Sequence, residues 1–450
     1  MTGDLAAVLD RARERVVPTD GERERLGAVA AAVIERAEAA VADLPVAADV
    51  VQVGSTARGT WVAGDRDVDV FVCFPPALDR ERLEEYGLQV GHAVLPDGRE
   101  EYAEHPYVVG TVEGYEVDLV PCYAVADATA AQSAVDRTPF HTEYLETRID
   151  DALAADVCLC KGFLKAVGAY GSDLKTRGFS GYLTELLVLE YGGFEPLVRA
   201  VADWDPPVRF DPAAHGTATF DDPLVVIDPT DPERNVAAVC SATNVARFQH
   251  YARDLLTDPR IALFEPDDPD PYDADAVRAA VAARGTTPVA LAFDAPDLVD
   301  DQLWPQLRRS LTGIAGELDR RGFDVLRATA MADDRAALLF ELEVAERPAV
   351  ERHEGPPVAV REHAEGFYRT YADGEATGPF IDGDRYVVER EREYERAVDL
   401  LASDAVFEVA LGAQVESALA DGYDVLAGAS IAALADPFGV ALARYFEPKP

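Results

Sequence analysis

Residues Val50–Phe74 read VVQVGSTARGTWVAGDRDVDVFVCF, and the rest of the chain is organised around them. The spacing predicts a short apolar strand over Val50–Val53, a Gly-Ser turn opening a helix, and a second strand carrying Asp67, Asp69, Phe71 and Cys73 in alternation with Val68, Val70, Val72 and Phe74. Alternation on a strand puts Asp67 and Asp69 on one face while the valines face a core. Two neighbouring carboxylates on an otherwise buried strand raise each other's pKa unless a cation lies between them, so the pair points to a divalent metal; a solvated edge strand is the plainer alternative. Gly54 and Ser55 add free backbone N–H groups and a hydroxyl that suit an anion, although a capped helix start explains that dipeptide alone. Arg58, one turn on, can fork onto the same anion. Together they predict a magnesium–nucleoside triphosphate site, and no GxxxxGK[ST] motif offers a Walker loop instead.

A third carboxylate follows. Tyr107–Val112 and Tyr115–Val120 form a predicted hairpin around Glu113-Gly114, and its YEVDLVP arm puts Asp118 on the face opposite Tyr115, Val117 and Leu119. Paired beside the DVDVF strand, that arm brings Asp118 next to Asp67 and Asp69. Three acids suit two Mg²⁺ ions about 3.5–4 Å apart, one lowering the pKa of an attacking hydroxyl and the other holding a triphosphate and its leaving pyrophosphate.

GSTARGT followed by DVDVF resembles the DNA polymerase β-like nucleotidyltransferases, and its G-S-x-x-R-G-T form is similar to the archaeal-type (class I) CCA-adding enzymes, which add CCA to the 3′ end of tRNA. The RGFSGYLTELL string from Arg177 is the next most family-specific segment, and the resemblance extends from the head into the C-terminal half. It implies CTP and ATP as substrates, tRNA as partner, two Mg²⁺ ions on Asp67, Asp69 and Asp118, and a nucleotide held by Gly54, Ser55, Arg58, His141, Lys161 and Tyr170, with Arg234 helping to read the base. At the first carboxylate the family has glutamate as often as aspartate, so Asp67 is compatible though one methylene shorter. His141 of TPFHTEYL is by itself as suited to packing or capping, and Arg234 of DPERN to an ion pair with Asp228 or Asp231. A poly(A)- or oligoadenylate-type polymerase shares the whole metal and phosphate apparatus; a catalytically inactive RNA-binding scaffold is the reading from another class, and retention of all three carboxylates counts against it.

The composition looks ill-suited to RNA: 41 basic against 83 acidic residues give a formal charge of −42 over 450 residues. Lysine occurs only at Lys161, Lys165, Lys175 and Lys449, and the acids are spread along the entire length. That pattern predicts an organism with molar internal salt, and with the resemblance a haloarchaeal one. At about 1 M salt the Debye length is roughly 3 Å, so close contacts outweigh the net field. Three of the four lysines fall within fifteen residues, which suits a triphosphate site at Lys161, whereas a solvated face or an RNA-backbone phosphate contact explains Lys165 and Lys175 at least as well. Five cysteines, an odd number lying mostly in apolar elements, read as reduced core residues of a cytoplasmic protein. No signal peptide or membrane-length apolar run is expected, and a homodimer is an open assembly.

The fold class expected is α+β: a mixed-sheet nucleotidyltransferase head over residues 1–140, a helical neck over 141–262 closing the nucleotide pocket, and an α+β body and tail over 263–450 that binds tRNA. Residues 1–48 read as two helices broken at Pro18 and packed on the back of the sheet; helices follow over Arg80–Val94 and about Asp151–Ala169. Lys161 and Tyr170 are two and a half turns apart and would diverge on one straight helix, so Tyr170 is placed past the helix end, where Gly171 permits a turn. LVVID at Leu224 reads as a buried strand and Arg234-Asn235 as the start of a helix. Glu265–Ala276 is an acidic linker, and a β-α-β-β pattern follows it. The last hundred residues interleave Arg361, Tyr368, Arg369, Tyr371, Arg385, Tyr386 and Arg390, a mixture suited to RNA phosphates and stacking.

Overall fold

The computed structural model describes residues 4–102 and 104–450. The chain divides into two compact units, Met1–Asp267 and Asp268–Lys449, and the division falls inside the acidic proline-rich segment.

In the first unit, α1 (Leu5–Val16) and α2 (Asp20–Ala42) are separated at Pro18, with Thr19 and Glu22 capping α2 reciprocally. There follow β1 (Asp49–Val53), the single turn α3 (Gly54–Ala57), β2 (Asp67–Phe74), α4 (Arg80–Val94), β3 (Arg99–Tyr102), β4 (Pro106–Val112) and β5 (Tyr115–Tyr123). These strands form one sheet in the order β1-β2-β5-β4-β3, in which only the β2/β5 pair is parallel. Glu113 and Gly114 both take positive φ at the β4–β5 turn, as a tight hairpin requires. Val68, Val70, Val72, Phe74, Val117 and Leu119 are buried together with Leu26 and Val33 of α2 and Leu83 and Val90 of α4. That burial fixes the register, since a slip of one residue would turn the acids into the core. On the other face Phe71, Cys73 and Cys122 form a small apolar cluster, the two sulfurs 3.3 Å apart.

The helical part of this unit comprises α5 (Thr138–Glu146), α6 (Asp151–Ala166), α7 (Gly181–Tyr191), α8 (Phe194–Ala202) and α9 (Ala242–Thr257), with the small sheet β6 (Val208–Phe210), β7 (Leu224–Asp228) and β8 (Asp231–Asn235). Three expectations are corrected here. Of the two N-terminal helices only α2 lies on the sheet: α1 buries Val8, Leu9, Ala12 and Val16 among the α6 and α7 side chains, and Gly162 admits it, since a Cβ there would lie 2.7 Å from Val16 Cγ1. Helix α6 stops three residues early, at Ala166, and Gly168 at φ +70° turns the chain so that Tyr170 bridges in parallel to Phe179. The segment at Arg234-Asn235 is a strand, because the buried Asn235 amide receives Val226 N–H at 2.9 Å and donates to Leu224 O at 3.2 Å; the next helix starts at Ala242 under a Ser241 cap.

The second unit begins with α10 (Ala274–Arg284), which takes the last residues of the expected linker, and continues with β9 (Thr287–Asp294), α11 (Asp300–Arg320), β10 (Val325–Ala332) and β11 (Arg335–Leu342). With β15 (Asp424–Ala427) these strands make an antiparallel sheet in the order β10-β11-β9-β15. A second sheet, β12-β14-β13, is built from β12 (Val350–Pro357), β13 (Thr377–Asp382) and β14 (Arg385–Glu391), with α12 (Arg361–Tyr371) against it. The short α13 (Ala397–Leu401), α14 (Ala413–Asp421) and α15 (Ala435–Phe446) complete the unit. Two of the interleaved arginines are committed to glutamates, Arg361 to Glu365 and Arg390 to Glu351, whereas Tyr368, Arg369 and Tyr386 line an open groove of about 410 Å³. All five cysteines are free thiols and buried, and among the described residues no helix is long and apolar enough to cross a membrane.

Candidate active site

The parallel register sets Asp69 directly beside Asp118 and Asp67 beside Glu116. Gly54, at φ +76°, presses on the same spot: a Cβ there would lie 2.1 Å from Asp69 Oδ2, so only glycine lets the turn approach the carboxylate. Burial, then the charge on Asp67, pushes Asp69 up to about 6, with Arg58 opposing. Burial, then Asp69 and the nearby glutamates, pushes Asp118 up to about 7. Asp67, toward solvent, is raised by burial, Asp65 and Glu116. The acids are therefore clustered at a real electrostatic cost.

Three carboxylates converging on a metal were expected; among the described residues no group of three or more His, Cys, Asp or Glu is gathered closely enough to hold an ion by itself. The residues nonetheless fit magnesium, which keeps several waters and is bound by one or two carboxylates together with substrate phosphates. Asp118 Oδ1 is buried with no hydrogen-bond partner, the mark of an acceptor made for something other than protein.

The cationic half of the site is more enclosed than expected. The predicted helix at Ser55 is a single turn, so it offers local N–H groups and little macrodipole. The Arg58 side chain is only 6% exposed and that of Lys161 only 2%, and both grip Glu185 of α7, which is fully buried. Arg58 Nη2 donates to Glu185 Oε2 at 2.7 Å, Lys161 Nζ to Oε1 at 3.1 Å, and Arg58 Nη1 to Thr142 Oγ1 at 2.9 Å. Thr60 Oγ1 also donates to Oε1, while its N–H closes the GSTARGT loop onto Ser55 O at 3.0 Å. Tyr170 is drawn into the same corner: a Cβ on Gly181 would lie 3.2 Å from its hydroxyl and 3.6 Å from Lys161 Nζ, so the turn after α6 reunites the two residues. Lys165 is committed to Asp65 at 2.9 Å.

A second buried carboxylate gathers the remaining candidates. Asp228 Oδ2 accepts from His141 Nε2 at 2.9 Å and from Arg234 Nη1 at 2.7 Å, and Oδ1 accepts from Thr230 N at 2.9 Å and Tyr182 OH at 3.3 Å. Burial alone would raise Asp228, but the bonds from His141 and Thr230 outweigh it and hold the carboxyl well below its usual range. Burial pushes His141 down, its bond to Asp228 opposing, and its ring stacks on Tyr182 at 4.0 Å. The Arg234–Asp228 ion pair, the structural alternative for Arg234, is therefore formed; yet 39% of the Arg234 side chain stays exposed, along an open groove of about 850 Å³. Sequence reading missed Glu185 as a site residue and gave Asp228 only as an alternative partner. Glu185 had a signal, a lone acid inside the apolar run LTELLVL, where an unpaired charge has no place.

Comparison with known proteins covers the whole chain. A nucleotidyltransferase domain matches residues 34–141, a tRNA nucleotidyltransferase second domain residues 155–265, and a CCA-adding enzyme C-terminal domain residues 284–428. A CCA-adding enzyme of Haloarcula marismortui is 67% identical over 100% of both chains, and one of Halorubrum lacusprofundi 65% identical over 99% of this chain and 100% of its own. At greater distance a CCA-adding enzyme of Methanosarcina acetivorans is 39% identical over 94% of each chain. Among solved structures, a cytoplasmic RNA terminal U-transferase superposes with a TM-score of 0.46 at 16% identity, covering 60% of this chain and all of its own. With full-length relatives at such identity and all three domains in order, the chain belongs to the CCA-adding enzyme family.

Proposed function

We propose that this chain adds C, C and A to the 3′ end of tRNA from CTP and ATP, without a nucleic-acid template and with release of pyrophosphate. Membership of the family supports the activity, and one observation carries the chemistry: Asp69 and Asp118 stand side by side, Asp118 with an unpartnered oxygen, against a glycine turn backed by buried cations. Asp67, Asp69 and Asp118 would hold two Mg²⁺ ions, which when bound activate the tRNA hydroxyl and neutralise the triphosphate. The Gly54–Ser55 turn orients the phosphates by its N–H groups and hydroxyl. Arg58 and Lys161 supply a fixed positive wall behind them with the Tyr170 hydroxyl beside it, and His141 and Arg234, held by Asp228, face the nucleoside, with Arg234 donating to the base edge. In the second unit the Tyr368, Arg369 and Tyr386 groove suits RNA phosphate and stacking contacts. The reaction is assigned to the cytoplasm.

Incubation with tRNA lacking its CCA end, in molar KCl, tests the proposal with each NTP separately and with CTP and ATP together. Two cytidines from CTP alone, and a terminal adenosine only after them, are expected. Unlimited adenosine addition from ATP alone would make the chain a poly(A)-type polymerase, and no incorporation with intact tRNA binding would make it an inactive scaffold.

A further inference from the structure

The geometry points to Glu185 as the residue that positions the triphosphate-binding cations, by clamping Arg58 and Lys161 in one buried node and tying that node to the GSTARGT loop. The inference rests on reading those two cations as triphosphate ligands. Glu185 comes from α7, Lys161 from α6, Arg58 and Thr60 from the loop after β1, and Thr142, which receives the other end of Arg58, from α5. One side chain thus meets groups from two separate segments, and its bonds need a carboxylate: Oε1 accepts from Lys161 and Thr60 while Oε2 accepts from Arg58. A glutamine offers one acceptor oxygen and would turn an N–H₂ donor toward a cation.

Charge balance says what the node is for. Two cations against one carboxylate leave a surplus of one positive charge, and burying that surplus is costly unless an anion completes it. Arg58 shows where the anion comes: two of its nitrogens are engaged by Glu185 and Thr142, whereas its Nε is buried and without a partner. The Glu185 side chain is fully buried beneath Arg58, Lys161 and Thr60, and acts through the cations it holds.

The test compares Glu185→Gln, Thr60→Val and Lys161→Ala with wild type in molar KCl, each confirmed folded by circular dichroism. For Glu185→Gln the KM values for CTP and ATP should rise together by about 10–100-fold, inhibition by pyrophosphate should weaken by the same factor, and tRNA affinity should stay within about twofold. Thr60→Val, which removes the tie between Glu185 and the loop together with a long Oγ1 bond to Ser55 O, should move the same two quantities by about 3–10-fold and answers the question if Glu185→Gln does not fold. A fall in kcat with KM and pyrophosphate inhibition unchanged in both variants would overturn the proposal. If Lys161→Ala itself leaves KM and pyrophosphate inhibition unchanged, the reading of the cations as triphosphate ligands is what fails.

Discussion

Replacing Asp69 by Asn should make the metal-free protein more stable at pH 8 by roughly 3 kcal/mol, while ending its activity. The carboxyl is pushed from 3.8 to about 6, burial being the larger cause and Asp67 the next. Each tenfold change in proton affinity is worth about 1.4 kcal/mol, so holding Asp69 ionised in the fold costs roughly 3 kcal/mol as an order of magnitude. The sign follows from proton uptake. Between about pH 4 and 6 the folded state binds more protons at this site than the unfolded chain, so its contribution to stability falls as pH rises and the full penalty applies above pH 6. Asn keeps the shape and never ionises, so the variant's advantage should be full at pH 8 and shrink toward pH 4. Guanidinium unfolding in 2 M KCl with EDTA, followed at several pH values, measures the difference. Saturating Mg²⁺ should then stabilise the wild type more than the variant and reduce or reverse the order. A variant that is less stable at pH 8 in EDTA, or a difference indifferent to both pH and Mg²⁺, would refute the reasoning.

Three other outcomes are expected. Gly54→Ala should lower the addition rate by about 10²–10³, because its Cβ would displace Asp69; Gly64→Ala, also at positive φ but with open space around it, should keep the rate, and equal losses in a primer-extension assay would remove Gly54 from the site. Arg234→Ala should loosen discrimination against UTP and GTP more than it raises the KM for CTP; a collapse of apparent affinity with base preference intact would make Arg234 a phosphate or structural residue. Between about 0.1 and 2 M KCl, tRNA affinity and folding stability should both rise over much of the range, since a charge of −42 repels RNA and itself until screened; a steep, monotonic loss of affinity across the folded range would mean that a concentrated basic surface dominates.

The carboxylate half of the site was legible because it is local. Alternation fixes which way Asp67 and Asp69 point, and the β4–β5 hairpin leaves few places for Asp118 other than beside them. The cationic half was legible in pieces: Arg58 from its place one turn past Ser55, Lys161 from the scarcity of lysine and Tyr170 by resemblance, but not the carboxylate that gathers them, because Glu185 meets Arg58 across 127 residues of sequence and no periodicity reports such a pairing. Arg234 failed in the opposite way. Helix caps and turn residues in DPTDPERN suggested a helix start, and the decisive event was the burial of the Asn235 amide against β7, a tertiary choice overriding local propensity. The separation of Tyr170 from α6 was foreseen from helix geometry, though the stop came three residues sooner, at the glycine that could take positive φ.

The Asp228 cluster bears on how a single pocket could treat two different bases. A long arginine side chain free in solvent carries about 2 kcal/mol of rotamer entropy, and ordering it when a nucleotide arrives would weaken cytosine and adenine recognition alike. Here Arg234 is tethered before any nucleotide enters, by a carboxylate whose other oxygen is already engaged by Thr230 and Tyr182 and which His141 also shares. The ordering is complete when the chain folds. If Arg234 reads the base as proposed, its tether to Asp228 gives it a donor already placed, against which cytosine, adenine and a wrong base would all be measured.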